Sequence, residues 1–339
     1  MAALPPIERF TTRHGARFYR IPVEAFPNFI VYCYVLLDAG VPTLIDAGSG
    51  LGSSTEHLLA GIAAVHDDFG EAFSLGDIRR ILITHGHIDH FGGLAAIHER
   101  TGAEVAIHPL DRRVLTNYEE RVVVATKDLR VYLERAGVKP ELRGHLLDMY
   151  GIAKKHVRSV PVSFALDEDL KLDGMHFIHA PGHCPGQVCI QLDDVLITAD
   201  HILSRITPHQ APESITHYTG LGHYLESLEK VGRLEGVALG LGGHEQPIHD
   251  LYGRIETIRA SHLRKLERMQ DVIRMAGAPL TISDISKQLY PDRHGYDILL
   301  ALEEVGAHVE YLYQHGMLAI GNLEEVERED NPALLYGLA

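Results

Sequence analysis

The chain has 339 residues, of which 45% are hydrophobic, so it is long enough to bury the core of one large domain and of a smaller one. It carries 31 basic and 46 acidic residues, which gives a formal net charge of −15 with histidine neutral. Because an acidic surface repels phosphate backbones, nucleic acid is not an expected partner.

The cellular compartment is predicted from apolar runs and cysteine content. Residues 1–10 hold no apolar run of signal-peptide length, and no later stretch reaches the roughly 18 to 20 uncharged apolar residues of a membrane span. The three cysteines, Cys33, Cys184 and Cys189, are too few for a disulfide framework, and we expect Cys184 and Cys189 to serve packing. We therefore expect a reduced, cytoplasmic protein with no membrane partner.

The N-terminal part of the chain predicts strands followed by a helix. Residues 18–22 and the β-branched and aromatic run 29–37 are typical of strands. Residues 41–46 follow a turn signal and are expected to pair with 29–37 as a β-hairpin. Apolar residues at helical spacing over 53–69 predict a helix that covers one face of the sheet.

Three histidines and one aspartate then fall within six residues, immediately after the short apolar run 81–83. They are His85, His87, Asp89 and His90, and a helical pattern begins directly behind them. Imidazole nitrogen and carboxylate oxygen are the preferred ligands of zinc and neighbouring divalent metals. A loop at the carboxyl end of a strand is also where α/β proteins commonly hold their sites. The motif therefore predicts a metal site.

Residues 110–160 alternate charged and apolar residues in helical rhythm and predict a helical insertion that shapes the substrate pocket. Its last part is cationic and either meets an anionic substrate group or, as we favour, forms a solvated helix face. The residues concerned are Tyr150, Lys154, Lys155, His156 and Arg158.

Three later loops carry a histidine or an aspartate whose role depends on the family resemblance described below. His183 lies in a Pro-Gly-rich loop, Asp200 follows the second strand of a hairpin predicted over 187–198, and His244 ends the glycine-rich run 239–243. Three more histidines lie on loops close to Asp200 in sequence and could orient substrate. They are His209, His217 and His223.

The C-terminal part predicts a small helical domain. A long helix begins near residue 250, and shorter helices over 281–290 and 296–315 precede a strand at 317–320, an order that resembles a winged helix-turn-helix. Residues 263–339 carry seven basic and 13 acidic residues, and the segment 296–315 has no lysine or arginine. Since a recognition helix needs basic or amide side chains, we expect the tail to cap the main domain or contribute to a subunit contact in a homo-oligomer.

The histidine motif with its later partners resembles the signature of the metallo-β-lactamase-fold hydrolase superfamily. The resemblance implies an α/β fold, an αββα sandwich of two mixed sheets flanked by helices. This domain would span residues 1–250, and a linker helix with a winged-helix-like domain would span 251–339. It also implies two divalent ions, zinc first, with iron or manganese open. One ion would be held by His85, His87 and His183, and the other by Asp89, His90 and His244, with Asp200 bridging both.

Two further residues acquire a meaning from this resemblance. Asp46, before Gly48, matches the family's Asp-x-Gly turn, in which the carboxylate supports the metal loop; otherwise it is only a turn-forming residue. Leu203 stands three residues after the bridging aspartate, where a lactonase of the family often carries tyrosine. That difference counts against lactone hydrolysis.

The presence of Asp200 departs from the true β-lactamases and is similar to glyoxalase-II-like thioester hydrolases and to a winged-helix group that includes RNA nucleases. We expect a hydrolase of a small ester or thioester, of the acyl-CoA or glutathione type, in which a hydroxide shared by the two ions attacks the carbonyl and Asp89 accepts a proton. The alternatives are a phosphodiesterase or ribonuclease with a basic groove from Lys154, Lys155 and Arg158, a lactonase, and a non-catalytic metal-binding scaffold.

Overall fold

The computed structural model describes residues 4–152 and 156–339. Its Cα positions divide the chain into two compact units, which are described separately below. Unit 1 comprises Met1–Glu119, His156–Pro208 and Ser227–Ile255, and unit 2 comprises Glu120–Lys155, His209–Glu226 and Glu256–Ala339. The two-domain boundary expected near residue 250 stays a prediction.

Unit 1 contains a seven-stranded sheet whose strands follow one another in chain order. The first four strands pair antiparallel and the last four pair parallel, so the sheet is mixed. The strands are β1 Glu8–Thr11, β2 Arg17–Phe26, β3 Phe29–Leu37, β4 Thr43–Ile45, β5 Arg80–Leu82, β6 Glu104–Ile107 and β7 Phe164–Ala165. The predicted hairpin corresponds to β3 and β4.

A second, four-stranded sheet in unit 1 is also mixed and has the order β11-β10-β9-β8. Its strands are β8 His176–His179, β9 Val188–Leu192, β10 Val195–Ala199 and β11 Leu239–Gly242. Only the β10–β11 pair is parallel. The predicted 187–198 hairpin is thus formed by β9 and β10, which leaves Asp200 just beyond the end of β10.

The apolar faces of the two sheets form one core. Phe18, Tyr34 and Leu82 of the first sheet share a buried cluster with Ile190 and Ile197 of the second. Because both sheets bury near-continuous apolar runs, burial of this core drives the layers together. The predicted α/β sandwich of two mixed sheets with flanking helices is confirmed.

The helices are as follows in chain order. They are α1 Ser54–Asp67, α2 Ile88–Phe91, α3 Leu94–Thr101, α4 Arg112–Thr116, α5 Tyr118–Arg135, α6 Pro140–Ile152, α7 Leu221–Gly232, α8 Leu251–Ala276, α9 Ile282–Leu289, α10 Tyr296–Gln314 and α11 Leu323–Arg328. Helices α4 to α6 fall in the interval predicted to be helical. Within the described ranges, no helix is both long and apolar enough to cross a membrane.

The C-terminal part of unit 2 combines helices with a short hairpin. Thr281 caps α9, since its hydroxyl accepts from the Asp284 amide and the Asp284 carboxylate accepts from the Thr281 amide. After α10, strand β12 (Leu318–Ile320) pairs antiparallel with β13 (Tyr336–Leu338). The predicted helical character of this region is confirmed, and its winged-helix interpretation stays a prediction.

Candidate metal centre

The loop after β5 places the histidine motif at the carboxyl end of a buried strand. His85 directly follows the buried Thr84, and α2 begins after His87, so that Asp89 and His90 lie in its single turn. This short helix turns their side chains to the same side as the preceding imidazoles. All four motif side chains therefore enter the groups described next.

A first donor group combines residues from three loops of unit 1. It consists of His85, His87, His183 and Asp200, whose ligand atoms all lie within 4.8 Å of one another. Asp200 Oδ2 lies 3.6 Å from His183 Nε2 and 4.0 Å from His85 Nε2.

A second donor group lies beside the first and shares one carboxylate with it. It consists of Asp89, His90, His244 and Asp200. Asp200 Oδ1 lies 3.3 Å from His90 Nε2, and Asp200 Oδ2 lies 3.3 Å from His244 Nε2. Asp89 Oδ2 lies 3.3 Å from His244 Nε2 and 3.6 Å from His90 Nε2. Asp200 is thus the member common to both groups.

The separations between these atoms fit ligands arranged around ions. Bonds of about 2.0–2.2 Å at tetrahedral angles place ligand atoms roughly 3.3–3.6 Å apart, which is longer than an ordinary N–H···O bond. The buried Nε2 of His85 has no hydrogen-bond partner among the described residues. A buried polar atom of that kind is costly unless something else engages it. The seven residues therefore form a candidate dinuclear site.

Hydrogen bonds on the far side of three imidazoles turn their Nε2 lone pairs toward the groups. His244 Nδ1 donates to the Ile30 carbonyl over 2.6 Å, and His90 Nδ1 donates to Asp46 over 2.8 Å. The Thr84 hydroxyl donates to Asp46, so its oxygen accepts from His85 Nδ1 over 3.1 Å. Such outer partners fix the tautomer and orientation of metal-binding histidines.

Asp46 lies where the sequence predicts support for the metal loop. Its two carboxylate oxygens accept from the Thr84 amide, the Thr84 hydroxyl and His90 Nδ1, each over 2.8 Å. Its φ of +62° is a left-handed conformation that aspartate tolerates better than most residues. The carboxylate thus connects β4 to the histidine loop and to α2.

The electrostatics of the two groups differ. Burial lowers the pKa of His87 to about 3, so this imidazole is a neutral base ready to ligate. In the second group burial also disfavours charge, but Asp200 and Asp89 outweigh it and raise the pKa of His244 to about 10. Burial raises the pKa of Asp89, yet His90 and His244 outweigh it and lower that pKa to about 2. Without ions, this group therefore holds extra protons that a metal must displace.

Comparison with known proteins identifies the family of the chain. The family model described as the metallo-beta-lactamase superfamily matches residues 27–271, well over half of the chain. The chain belongs to the metallo-beta-lactamase superfamily. The matched range covers all seven donor residues, and the predicted resemblance is confirmed at this level.

Two related proteins and one solved structure each match most of the length of this chain. The probable metallo-hydrolase YflN of Bacillus subtilis (strain 168) is 29% identical over 247 residues, 69% of this chain and 81% of that protein. The probable metallo-hydrolase YqjP of the same strain is 24% identical over 311 residues, 86% of this chain and 90% of that protein. A solved structure, the metallo-beta-lactamase family protein TTHA1429 from Thermus thermophilus, has 24% identity and a TM-score of 0.73, and the match covers 95% of this chain and 98% of that one.

The three histidines that the sequence analysis expects to orient substrate belong to unit 2. His209 contacts Glu303 over 3.1 Å and lies 3.6 Å from Glu304, while His223 lies 3.1 Å from Glu213. His217 lies in the loop before α7. A substrate role for the three stays a prediction.

The cationic end of the predicted insertion is described only in part. Lys154 and Lys155 lie outside the described residues. The exposed Arg158 makes a two-pronged ion pair with Glu99, and His156 Nε2 donates to the Ser49 carbonyl over 3.0 Å. Arg158 is therefore already engaged by an acidic partner.

A third cluster with metal-binding side chains lies in unit 2. It consists of His262, Glu304 and His308, all buried. Both carboxylate oxygens of Glu304 are engaged, one by Lys265 Nζ at 2.5 Å and the other by the Gln210 amide at 2.9 Å. His262 Nδ1 and His308 Nε2 are 2.9 Å apart and share a hydrogen bond. The Lys265 ammonium group already supplies the positive charge that a metal ion would bring to Glu304. We therefore interpret the cluster as a buried ion-pair network.

Sequence reasoning missed Asp111, a buried aspartate that contacts the two loops that carry the imidazoles of the first donor group. Its carboxylate accepts from the Gly86 amide and from the Cys184 thiol. No local sequence motif predicts its role, because its partners lie 25 and 73 residues away along the chain.

Proposed function

We propose that this protein is a metal-dependent hydrolase that cleaves a small carboxylic ester or thioester at a pair of divalent ions. The observation that carries the proposal is the position of Asp200, within 3.3–4.0 Å of histidines from both donor groups. A carboxylate in that position could serve as a common ligand of two ions held side by side. The two Bacillus subtilis relatives are both named probable metallo-hydrolases, which agrees with hydrolysis.

The roles of the side chains follow from their groups. His85, His87 and His183 would hold one ion, and Asp89, His90 and His244 the other, with Asp200 between them. Zinc is the first expectation for nitrogen and carboxylate donors, and iron or manganese fit the same set. When bound, two such ions lower the pKa of water toward about 7 and polarise a substrate carbonyl.

The remaining steps fall to the chain's own groups. Asp89 directs Oδ2 toward His90 and His244, which leaves Oδ1 as the atom that would take the proton released during attack. The Phe29 ring lies 4.5 Å from the His244 ring and is 41% exposed. It offers apolar surface beside the donors, which suits the acyl part of a small ester or thioester.

The alternative functions lack an equally specific observation. A phosphodiesterase or ribonuclease needs unpaired basic groups beside the donors, whereas Arg158 is bound to Glu99. A lactonase of the expected kind carries tyrosine where Leu203 is buried. A non-catalytic scaffold has no need to keep all seven donors in two groups. We therefore keep these three as outcomes that the experiment can reveal.

The test is steady-state hydrolysis of acyl-CoA and glutathione thioesters, an aryl ester, a lactone, a β-lactam and a short RNA. Each substrate is offered to protein stripped with a chelator and then reloaded with Zn²⁺, Mn²⁺ or Fe²⁺. We expect turnover of a thioester or ester that disappears on stripping and returns on reloading.

Other results would point elsewhere. RNA cleavage with the same metal dependence would replace the proposal with the phosphodiesterase alternative, and lactone turnover alone would favour a lactonase. Bound metal with no turnover of any carbonyl substrate or RNA would contradict ester or thioester hydrolysis and favour the scaffold.

A further inference from the structure

Asp111 lies between the two loops that supply the imidazoles of the first donor group. It is the last residue of a 3-10 helix, Pro109–Asp111, that follows β6, and its side chain is buried. Its Oδ2 accepts from the Gly86 amide over 2.8 Å and from the Cys184 thiol over 3.2 Å. Gly86 separates His85 from His87, and Cys184 directly follows His183.

The space around this carboxylate is closed by two glycines. A Cβ atom at Gly186 would lie 2.6 Å from Asp111 Cγ, and a Cβ atom at Gly86 would lie 3.1 Å from the same atom. The first distance is closer than atoms can approach, so the carboxylate occupies room that only glycine at 186 leaves open. Asp111 is thus packed against both loops as well as hydrogen-bonded to them.

The second donor group has its own buried carboxylate in a comparable place. Asp46 accepts from Thr84 and from His90 Nδ1, as described above. Asp46 therefore supports the second group directly through His90 and the first through Thr84 and His85, whereas Asp111 bonds the Gly86 amide and the Cys184 thiol beside the first.

We propose that Asp111 is a positioning residue that keeps the turn at Gly86 and the loop at Cys184 at the spacing at which His85, His87 and His183 converge on one ion. The proposal rests on the ligand assignment given under the proposed function. It predicts a defect that falls mainly on the first ion, because Asp111 contacts the two loops that supply the imidazoles of the first group.

The test is Asp111→Asn, which keeps the size of the side chain but removes the negative charge from the oxygen that accepts from both donors, so both bonds weaken or, where the NH₂ group takes that place, are lost. Zn²⁺ is titrated into stripped protein against a competing chelator, and the two dissociation constants are compared with those of the wild type. We expect the first ion to bind about 10 to 100 times more weakly, the usual effect of losing an outer partner, and the second to change much less. Asp46→Asn should weaken the binding of both ions, because Asp46 bonds His90 of the second group directly and His85 of the first through Thr84.

Three further variants separate positioning from general damage. Cys184→Ala removes one donor and should give a smaller loss, while Cys184→Ser restores a donor and should recover most of the wild-type affinity. Asp77→Asn changes another aspartate at the end of a 3-10 helix, one that is bonded to Ser74, and should leave both constants unchanged. Denaturant unfolding of each stripped variant reports stability independently.

The results distinguish a failure of the Asp111 positioning role from a failure of the ligand assignment. Unchanged constants in Asp111→Asn, or equal weakening of both ions together with a loss of stability, would overturn the positioning role while leaving the hydrolase proposal intact. A wild-type protein that binds no ion would overturn the ligand assignment itself and the positioning role with it.

Discussion

Asp200→Ala is expected to weaken the binding of both ions at least about 100-fold and to remove metal-dependent hydrolysis. Loss of an outer partner alone costs about 10 to 100-fold in metal affinity, and Asp200 lies within reach of both donor groups rather than behind one of them. Its removal also leaves His90 and His244 close to each other with one fewer negative charge nearby. Competitive Zn²⁺ titration and hydrolysis of the best substrate measure the two effects.

The matched control is Asp193→Asn, on the turn that connects β9 and β10. Asp193 has a positive φ of 53°, which asparagine also adopts, and it bonds Thr12 and His14. This variant should bind two ions as the wild type does. An Asp200→Ala protein that keeps wild-type affinity for both ions would show that the shared carboxylate is not a ligand.

Gly243→Ala is expected to disrupt the second donor group without changing any donor. A Cβ atom there would lie 2.3 Å from Asp200 Oδ1 and 2.6 Å from His90 Cε1. The backbone at residue 243 cannot easily shift away, because the Gly243 amide donates to the Ala199 carbonyl and the Gly243 carbonyl accepts from the Tyr32 amide. Overpacking of this kind costs about 1–3 kcal/mol, which is roughly 5 to 150-fold in affinity if it falls on the bound state.

Zn²⁺ titration of Gly243→Ala should therefore show weaker binding of the second ion and little change in the fold. The control is Gly144→Ala in α6, where a Cβ atom meets nothing within 4 Å. Alanine is the better helix former, so this control should be slightly more stable and should bind metal normally. If Gly243→Ala binds both ions like the wild type, the close packing of Asp200 against residue 243 has no part in the site.

The histidine loop was predictable because its chemistry is local. Four donors fall between residues 85 and 90, and the apolar run in front of them becomes β5. The later donors His183, Asp200 and His244 are less conspicuous, and their assignment came from the resemblance to a family with the same order of ligands. The structure brings all seven into two adjoining groups, and their role as ligands remains a proposal.

Other features of the structure could not be predicted from local sequence patterns. Strand β1, with the sequence Glu-Arg-Phe-Thr, has no run of apolar residues and exists through its pairing with β2. Asp111 depends on two partners that only the fold brings near. Unit 2 joins three separate segments of the chain, and its network around Glu304 unites side chains of α8 and α10 with the backbone amide of Gln210. Periodicity within a window carries no information on such long-range contacts.

The metal content of the wild-type protein tests the account most directly. Protein is stripped, loaded with excess Zn²⁺, freed of unbound ions and assayed for metal per chain by elemental analysis, with Asp200→Ala and Asp193→Asn treated in parallel. We predict two ions per chain in the wild type and in Asp193→Asn, and fewer in Asp200→Ala. A wild-type protein that retains no ion, or that retains the same number as Asp200→Ala, would contradict a dinuclear centre built around Asp200.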